Sequence, residues 1–336
     1  MTKPVILTGI KPTGSIHLGN LIGAIKPAVS WSNDPEKQGF YFIADYHALI
    51  TVKDPEKLSR YTLESTAAWI ALGLDPSRAV LYRQSDVLEV FELAWILGCF
   101  APKGLMNRAH AYKAQLQKNQ SKAERNLDAG VNMGLYSYPL LMAADILIMR
   151  TRWVPVGKDQ LQHIEIARHV AQAFNHTHGH PVFLAPEALT EETQNVIPGL
   201  DGRKMSKSYD NTIAVFGTSD ELWALISRIA TDSTPKGEPK NPDDSVIFQI
   251  FHALAAWEDT NRFRQALLNG MGWKEAKDQL FALLDGYLTE PRRIYHDLMH
   301  DPAMLYRILE DGANKARARA QDTMSRVRRF TGHQPM

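Results

Sequence analysis

The chain has 336 residues, 44% of them apolar and 22% charged, enough to bury a large core and to form about two domains. Its 38 lysines and arginines face 37 aspartates and glutamates, so no global field draws in a polyanion, and any nucleic-acid contact must use local patches. A single cysteine, Cys99, excludes an internal disulfide and cysteine-cluster metal sites. The apolar start at residues 5–7 is too short for a signal peptide, and no run approaches the ~20 apolar residues of a membrane span. The expected location is the cytoplasm.

In chain order, "VILTGIKPTGSIHLGNLIGAIKPAVSW" reads as a buried strand over residues 5–7, a loop punctuated by Gly9, Pro12 and Gly14, and a helix. "GFYFIAD" is a second strand, ending on polar Asp45 and His47. Asp54 and Pro55 supply an N-cap and a first-turn proline for a helix to about residue 74. "AVLYRQ", residues 79–84, is a third strand. Residues 88–149 are mostly helical, with a basic polar stretch over 103–125. "WVPVGKDQLQHIEIARHVAQAF" gives a short extended segment and a helix, and "PVFLAP" reads as a last strand. Strands alternating with helices predict a Rossmann-like, doubly wound parallel sheet of the α/β class. Strand signals cease after Ser208, and from Asp220 onward the pattern is amphipathic helix. The expected division is a catalytic α/β domain over 1–208 and an all-helical domain over 209–336. No internal repeat or low-complexity tract is present.

In open α/β sheets the ligand site lies beyond the carboxyl ends of the strands. "HLGN", residues 17–20, falls where the first loop turns into its helix, where free N–H groups and the positive dipole end favour a phosphate. His17 and Asn20 have hydrogen-bond donors for phosphate oxygens, and Gly19 permits close approach of a ring or backbone. "LDGRKMSKSYDN", residues 200–211, gathers Lys204 and Lys207 on flexible stems suited to charge that develops during reaction. Gly199 and Gly202 are expected to make this loop mobile. In "LYSYPLLMAADILIM" the only charge is Asp145, on a helix apolar on every face and therefore buried. Its carboxylate needs a donor. Tyr138, Met142 and Asp145 share one stripe, a combination suited to an indole ring with its single N–H. The competing reading is a structural aspartate satisfied by backbone or by Arg150 or Arg152.

The pairing of "HLGN" with "KMSKS" resembles the double signature of class I aminoacyl-tRNA synthetases. The wider set "GIKPTGSIHLGNLIGA", "ADYHALI", "YPLLMAADIL", "VPVGKDQLQHIE" and "KMSKS" resembles the bacterial tryptophanyl-tRNA synthetase family over most of residues 8–208. The resemblance implies activation of L-tryptophan with ATP and Mg²⁺, transfer to tRNA(Trp), and a homodimer. It implies an ATP site lined by Lys11, Pro12, Thr13, Gly19, Asn20, Gly157, Lys158, Asp159 and Val196, together with Lys204, Met205, Ser206, Lys207 and Ser208. His17, Asn20, Lys204 and Lys207 become the catalytic group. Tyr138 and Gln160 would hold the tryptophan amino group, with His47, Met142, Val154 and Val156 as pocket wall and Asp145 on the indole N–H. No protein-bound metal is implied. Asn20 stands where many class I enzymes have a second histidine. Val196 is the least secure of these positions, because the stretch before "KMSKS" is shorter than in some relatives.

Two alternatives remain open from sequence: tyrosine activation, and a paralogue that binds tRNA or tryptophan as a regulator without aminoacylating. The helices of 88–149 are the expected dimer interface. "HTHGH", residues 176–180, reads as a solvated turn, and Trp153 and Trp223 as core. Residues 315–330 set Arg317, Arg319, Arg326, Arg328 and Arg329 against a single acid, Asp322. This is either an exposed helix face or a grip on the tRNA anticodon arm.

Overall fold

The structure, a computed structural model, describes residues 3–157, 160–190 and 197–333. Five strands, β1 (Val5–Ile10), β2 (Gln38–Ile43), β3 (Val80–Arg83), β4 (Thr151–Pro155) and β5 (Glu187–Leu189), form one parallel sheet. Their order is β3-β2-β1-β4-β5, the Rossmann arrangement expected from the sequence. β1, β2 and β3 are mostly apolar runs because helices cover both faces of the sheet there. Successive side chains separate accordingly: Leu7, Phe40, Phe42 and Tyr82 enter one core, and Tyr41, Ile43 and Leu81 the other.

The first core is closed by helices Glu89–Gly98, Met133–Ile148, Leu161–His178 and Pro302–Thr331. The second is closed by the helical segment after β1, helix Pro55–Ala71 and the C-terminal helices between residues 219 and 300. Both cores therefore draw side chains from before and after residue 208. The segment after β1 runs Leu18–Asn20, a π-helical turn Leu21–Ile25, then Lys26–Ser32. Asp54 caps Pro55–Ala71 by accepting from the amides of Glu56 and Lys57, and this helix stops three residues before the position read from sequence.

Two elements differ from the sequence reading. "PVFLAP" is not a strand. The amides of Val182 and Phe183 both donate to Asn175 Oδ1, at 2.9 and 3.0 Å, so a side chain rather than a ladder satisfies them, and the last strand forms later at Glu187–Leu189. "HTHGH" is not a solvated turn. His176 and His178 lie in the last turn of Leu161–His178, which Gly179 ends at φ +66°. The His178 ring packs among Phe100, Phe174 and Phe330.

The helix carrying the basic tail lies along β3 and helix Glu89–Gly98. Three of its arginines turn inward: Arg317 to Glu89 at 3.2 Å, Arg319 to the Met149 carbonyl at 2.5 Å, and Arg328 to Glu92. Of the five arginines, Arg326 and Arg329 stay exposed, Arg317 and Arg328 meet Glu89 and Glu92, and Arg319 meets a carbonyl. Contact with β3 is made through Gly312, where an added Cβ would sit 1.8 Å from the Leu81 carbonyl oxygen. An exposed helix would gain up to ~1 kcal/mol from Gly→Ala. Here Gly312→Ala is expected to lose about 1–3 kcal/mol through overpacking. Denaturant unfolding measures the sign, and a gain would mean that the helix does not rest on β3.

Candidate active site

Strand order reverses between β1 and β4, and a cavity of about 300 Å³ opens beyond their carboxyl ends. Leu7, Thr8 and Gly9 of β1 and Val154, Pro155 and Val156 around β4 form its walls. Lys11, His47, Tyr138, Met142, Asp145, Gly157 and Gln160 also line it, so all seven residues expected for tryptophan meet there, with Lys11 and Gly157 of those expected for ATP. Trp31 and Phe42 join them without having been expected. Lys158, Asp159 and Val196 lie outside the described residues.

Asp145 is 1% exposed. Its donors are neither arginine: Arg150 faces Asp322 and Arg152 faces Glu187. Instead Gln84 Nε2 donates to both carboxylate oxygens at 2.9 Å, and His47 Nε2 lies 3.0 Å from Oδ2. Burial pushes the Asp145 carboxyl up, and the contacts to His47 and Gln84 pull against that shift. Gln84 also accepts from the His47 backbone amide through Oε1 at 3.4 Å, so one carboxamide fixes both partners. Sequence reasoning passed over Gln84. The available signal was a polar residue ending the third apolar run, at the carboxyl edge where α/β sheets place their sites. Tyr138 Oη contacts His163 Nε2 and stands edge-on to the His47 ring.

The second cluster joins residues nearly two hundred positions apart. Met205 is buried, and its Sδ lies 3.3 Å from the Gly19 amide. An extended segment beyond the lysine loop pairs with the first loop: Leu18 N donates to Ile213 O at 2.9 Å and Val215 N to Ile16 O at 3.1 Å. Lys207 Nζ donates to the Thr13 carbonyl at 3.3 Å, which brings it over the Lys11-Pro12-Thr13 turn. Lys204 stays exposed. Ser206 caps the short turn that follows by accepting from the Ser208 amide. Asn20 Oδ1 accepts from the His17 amide at 3.2 Å, leaving the N–H end of its carboxamide for a ligand.

Asn211, 2% exposed, holds the lysine loop together. It accepts from the Ser206 amide at 2.8 Å and donates to Asp201 at 2.7 Å and to the Lys204 carbonyl at 3.2 Å. A Cβ on Gly199 would lie 2.3 Å from Asn211 Cγ. The role of Gly199 is therefore close approach rather than mobility, which corrects the sequence reading, while Gly202 occupies a turn at φ +81°. Nothing in the residue type marked Asn211 beforehand.

With this geometry in place, the family comparison is direct. The profile of the family described as tRNA synthetases class I (W and Y) matches residues 1–280. The chain belongs to that family of aminoacyl-tRNA synthetases. Within it, the branch is that of the tryptophan--tRNA ligases. The chain is 52% identical to the tryptophan--tRNA ligase of Pseudomonas putida over 97% of its own length and 73% of that protein's. It is 46% identical to that of Neisseria meningitidis over the full length of both. The crystal structure of Campylobacter jejuni tryptophanyl-tRNA synthetase complexed with ADP and tryptophan superposes with a TM-score of 0.87 at 42% identity, covering 98% of this chain and 99% of that one.

Burial, and then the charge of Lys207, hold the His17 imidazole down at about 4 from an ordinary 6.5. His17 is thus neutral at pH 7, and its buried Nδ1 has no partner among the described residues. Between pH 6.5 and 4 the unfolded chain binds a proton that the folded chain refuses. Stability contributed by this group is complete above pH 6.5 and is lost as pH falls towards 4. An NMR titration of the His17 ring should show a midpoint well below 6, and His17→Asn should flatten stability against pH in this window. A midpoint near 6.5 would remove the argument.

Proposed function

We propose the following division of labour for the tryptophan--tRNA ligase reaction that this chain carries out. The tryptophan carboxylate attacks the α-phosphorus of ATP, forming tryptophanyl-adenylate as pyrophosphate leaves. The 3′-terminal hydroxyl of tRNA(Trp) then attacks the adenylate carbonyl, and AMP leaves. The nucleophile of the first step is already ionised, so that step needs no general base, and its catalysis is positioning with electrostatic stabilisation.

The observation that carries this assignment is a cavity lined by one buried carboxylate, Asp145, and by Lys11, with Lys207 bonded to the Thr13 carbonyl of the turn that Lys11 begins. An ionised carboxylate only accepts and an indole nitrogen only donates, so Asp145 is assigned the indole N–H. Met142, His47, Val154 and Val156 bound the ring, and Tyr138 and Gln160 are assigned the amino group. Lys11, Pro12, Thr13, Gly19 and Asn20 are assigned to ATP with Gly157, Lys158, Asp159 and Val196. Lys204 and Lys207 take the charge that grows on the leaving pyrophosphate, with Met205, Ser206 and Ser208 shaping the loop around it. The donor set beside the phosphates is lysine, histidine, asparagine and hydroxyl rather than carboxylate. This chemistry suits Mg²⁺ entering on the oxygens of ATP itself, where it offsets phosphate charge.

The remaining assignments are coarser. Residues 1–208 are assigned to catalysis and 209–336 to tRNA, in the cytoplasm. For a homodimer the supporting feature is helix Glu89–Gly98, flanked by exposed Leu88 and carrying Trp95 at 79% exposure. Arg326 and Arg329 are the tail residues left for an RNA backbone.

Tryptophan-dependent ATP–pyrophosphate exchange tests the chemistry. Lys207→Ala should slow adenylate formation by two to four orders of magnitude, or about 3–5 kcal/mol, with tryptophan affinity little changed. Equal losses in both would assign the loop a structural role. Asp145→Ala should lower kcat/KM for tryptophan far more than for phenylalanine, since sites built on a hydrogen bond reject the analogue lacking it by about 10⁴–10⁵-fold. A variant that kept the wild-type ratio would show Asp145 to be structural.

A further inference from the structure

At the end of the sheet opposite the catalytic cavity, where β1 and β4 begin, Lys3, Arg150, Arg152 and Arg319 converge on a cavity of about 460 Å³. We propose that this cavity is a second anion site, built for a phosphate-class oxyanion. Its four cations come from three separate stretches of chain: the segment before β1, the start of β4, and the last helix.

Charge balance separates this reading from an ordinary network of surface ion pairs. Among the charged residues lining the cavity, four are basic and one, Asp322, is acidic, leaving a local excess of +3 in a chain whose net charge is +1. Asp322 cannot neutralise them. It lies 3.7 Å from Arg150 and is shared with Arg326 at 3.3 Å. Glu187 engages Arg152 at 2.7 Å, but both side chains are about half exposed and screened by water.

The site is also held in shape without a ligand. Arg319 is fixed by its 2.5 Å bond to the Met149 carbonyl, and its guanidinium lies 5.6 Å from the centre of the Phe40 ring. Burial, and then the charge of Arg150, hold Arg319 below the ordinary arginine range. Arg150 occupies the left-handed backbone region at φ +51°, a conformation that non-glycine residues rarely take. Like charges gathered in a concavity focus field into it, and a phosphate-class oxyanion relieves their repulsion while accepting from planar guanidinium forks. None of these residues lines the catalytic cavity, so the site stands independently of the roles proposed above.

The same chemistry is offered by free phosphate and by a tRNA backbone phosphate, and one variant distinguishes them. Arg150→Asn with Arg152→Gln removes two cations, keeps a residue type that tolerates the left-handed backbone, and leaves the structural Arg319 in place. Inorganic phosphate is titrated calorimetrically into the protein saturated with a sulfamoyl analogue of tryptophanyl-adenylate, which blocks the catalytic site. Wild type should bind saturably, and the variant roughly tenfold or more weakly after losing two charge-assisted contacts. Pyrophosphate exchange should be unchanged. If phosphate does not bind but the variant loses tRNA affinity, with a salt slope shallower by roughly one to two, the phosphate is RNA backbone. The proposal is overturned if the variant binds phosphate as wild type does, or if neither phosphate nor tRNA binding responds. Arg152→Gln alone provides the same readouts should the double variant fold poorly.

Discussion

The candidate active site depends on one buried carboxylate. Asp145 sits inside an apolar helix at 1% exposure, where an ionised group without partners is penalised by several kcal/mol. Its partners come from elsewhere: Gln84 from the end of β3, and His47 from the short helix after β2. Satisfying this one group therefore fixes the relative positions of two strand ends and the helix Met133–Ile148. The cavity beside it keeps its shape because the residues forming its floor are already hydrogen-bonded to one another, so a ligand meets a formed acceptor.

The phosphate end follows the opposite rule. Its lysines remain exposed at the surface, and burial lowers the pKa of Lys11 and of Lys207. Lys207 is lowered by burial, with Glu64 acting against that shift, and His17 is kept neutral. Among the described residues Lys207 Nζ donates to the neutral Thr13 carbonyl, and it keeps most of its capacity to meet an anion. The loop around it is positioned by groups that carry no charge: Met205 against Gly19, and Asn211 across the hairpin. Position is thus set by neutral contacts, the arrangement that the role proposed for the lysines requires.

The fold was largely legible because strand periodicity and burial are local signals. The runs at β1, β2 and β3 contain enough consecutive apolar residues to announce a sheet buried on both faces, and the last helices carry a clear amphipathic repeat. "PVFLAP" misled because the same apolar run can be satisfied by a side chain, and the competing Asn175 lies on a neighbouring helix. The site was legible wherever a residue was chemically out of place: Asp145 in an apolar helix, or two lysines in a glycine-rich loop. Gln84 and Asn211 were not, because a carboxamide is unremarkable until its partners are known. The partners of the basic tail were hidden for a related reason. Arginine spacing along a helix does not reveal that Glu89 and Glu92 wait on the surface it will cover.

That last case bears on how a nearly neutral chain handles polyanions. Its charges are not evenly mixed. Along helix Pro302–Thr331, arginines facing Glu89 and Glu92 are neutralised, while Arg319, further round the same helix, joins cations from the two strand starts. Folding thus uses acidic residues to cancel some of the basic surface and gathers Lys3, Arg150, Arg152 and Arg319 in one concavity. A field confined to concavities attracts a phosphate at short range yet offers little to an arbitrary nucleic acid at long range, where the Debye length of about 8 Å at physiological salt already limits it. For a protein that must handle ATP and release charged RNA, such a distribution of charge is more useful than a large net charge would be.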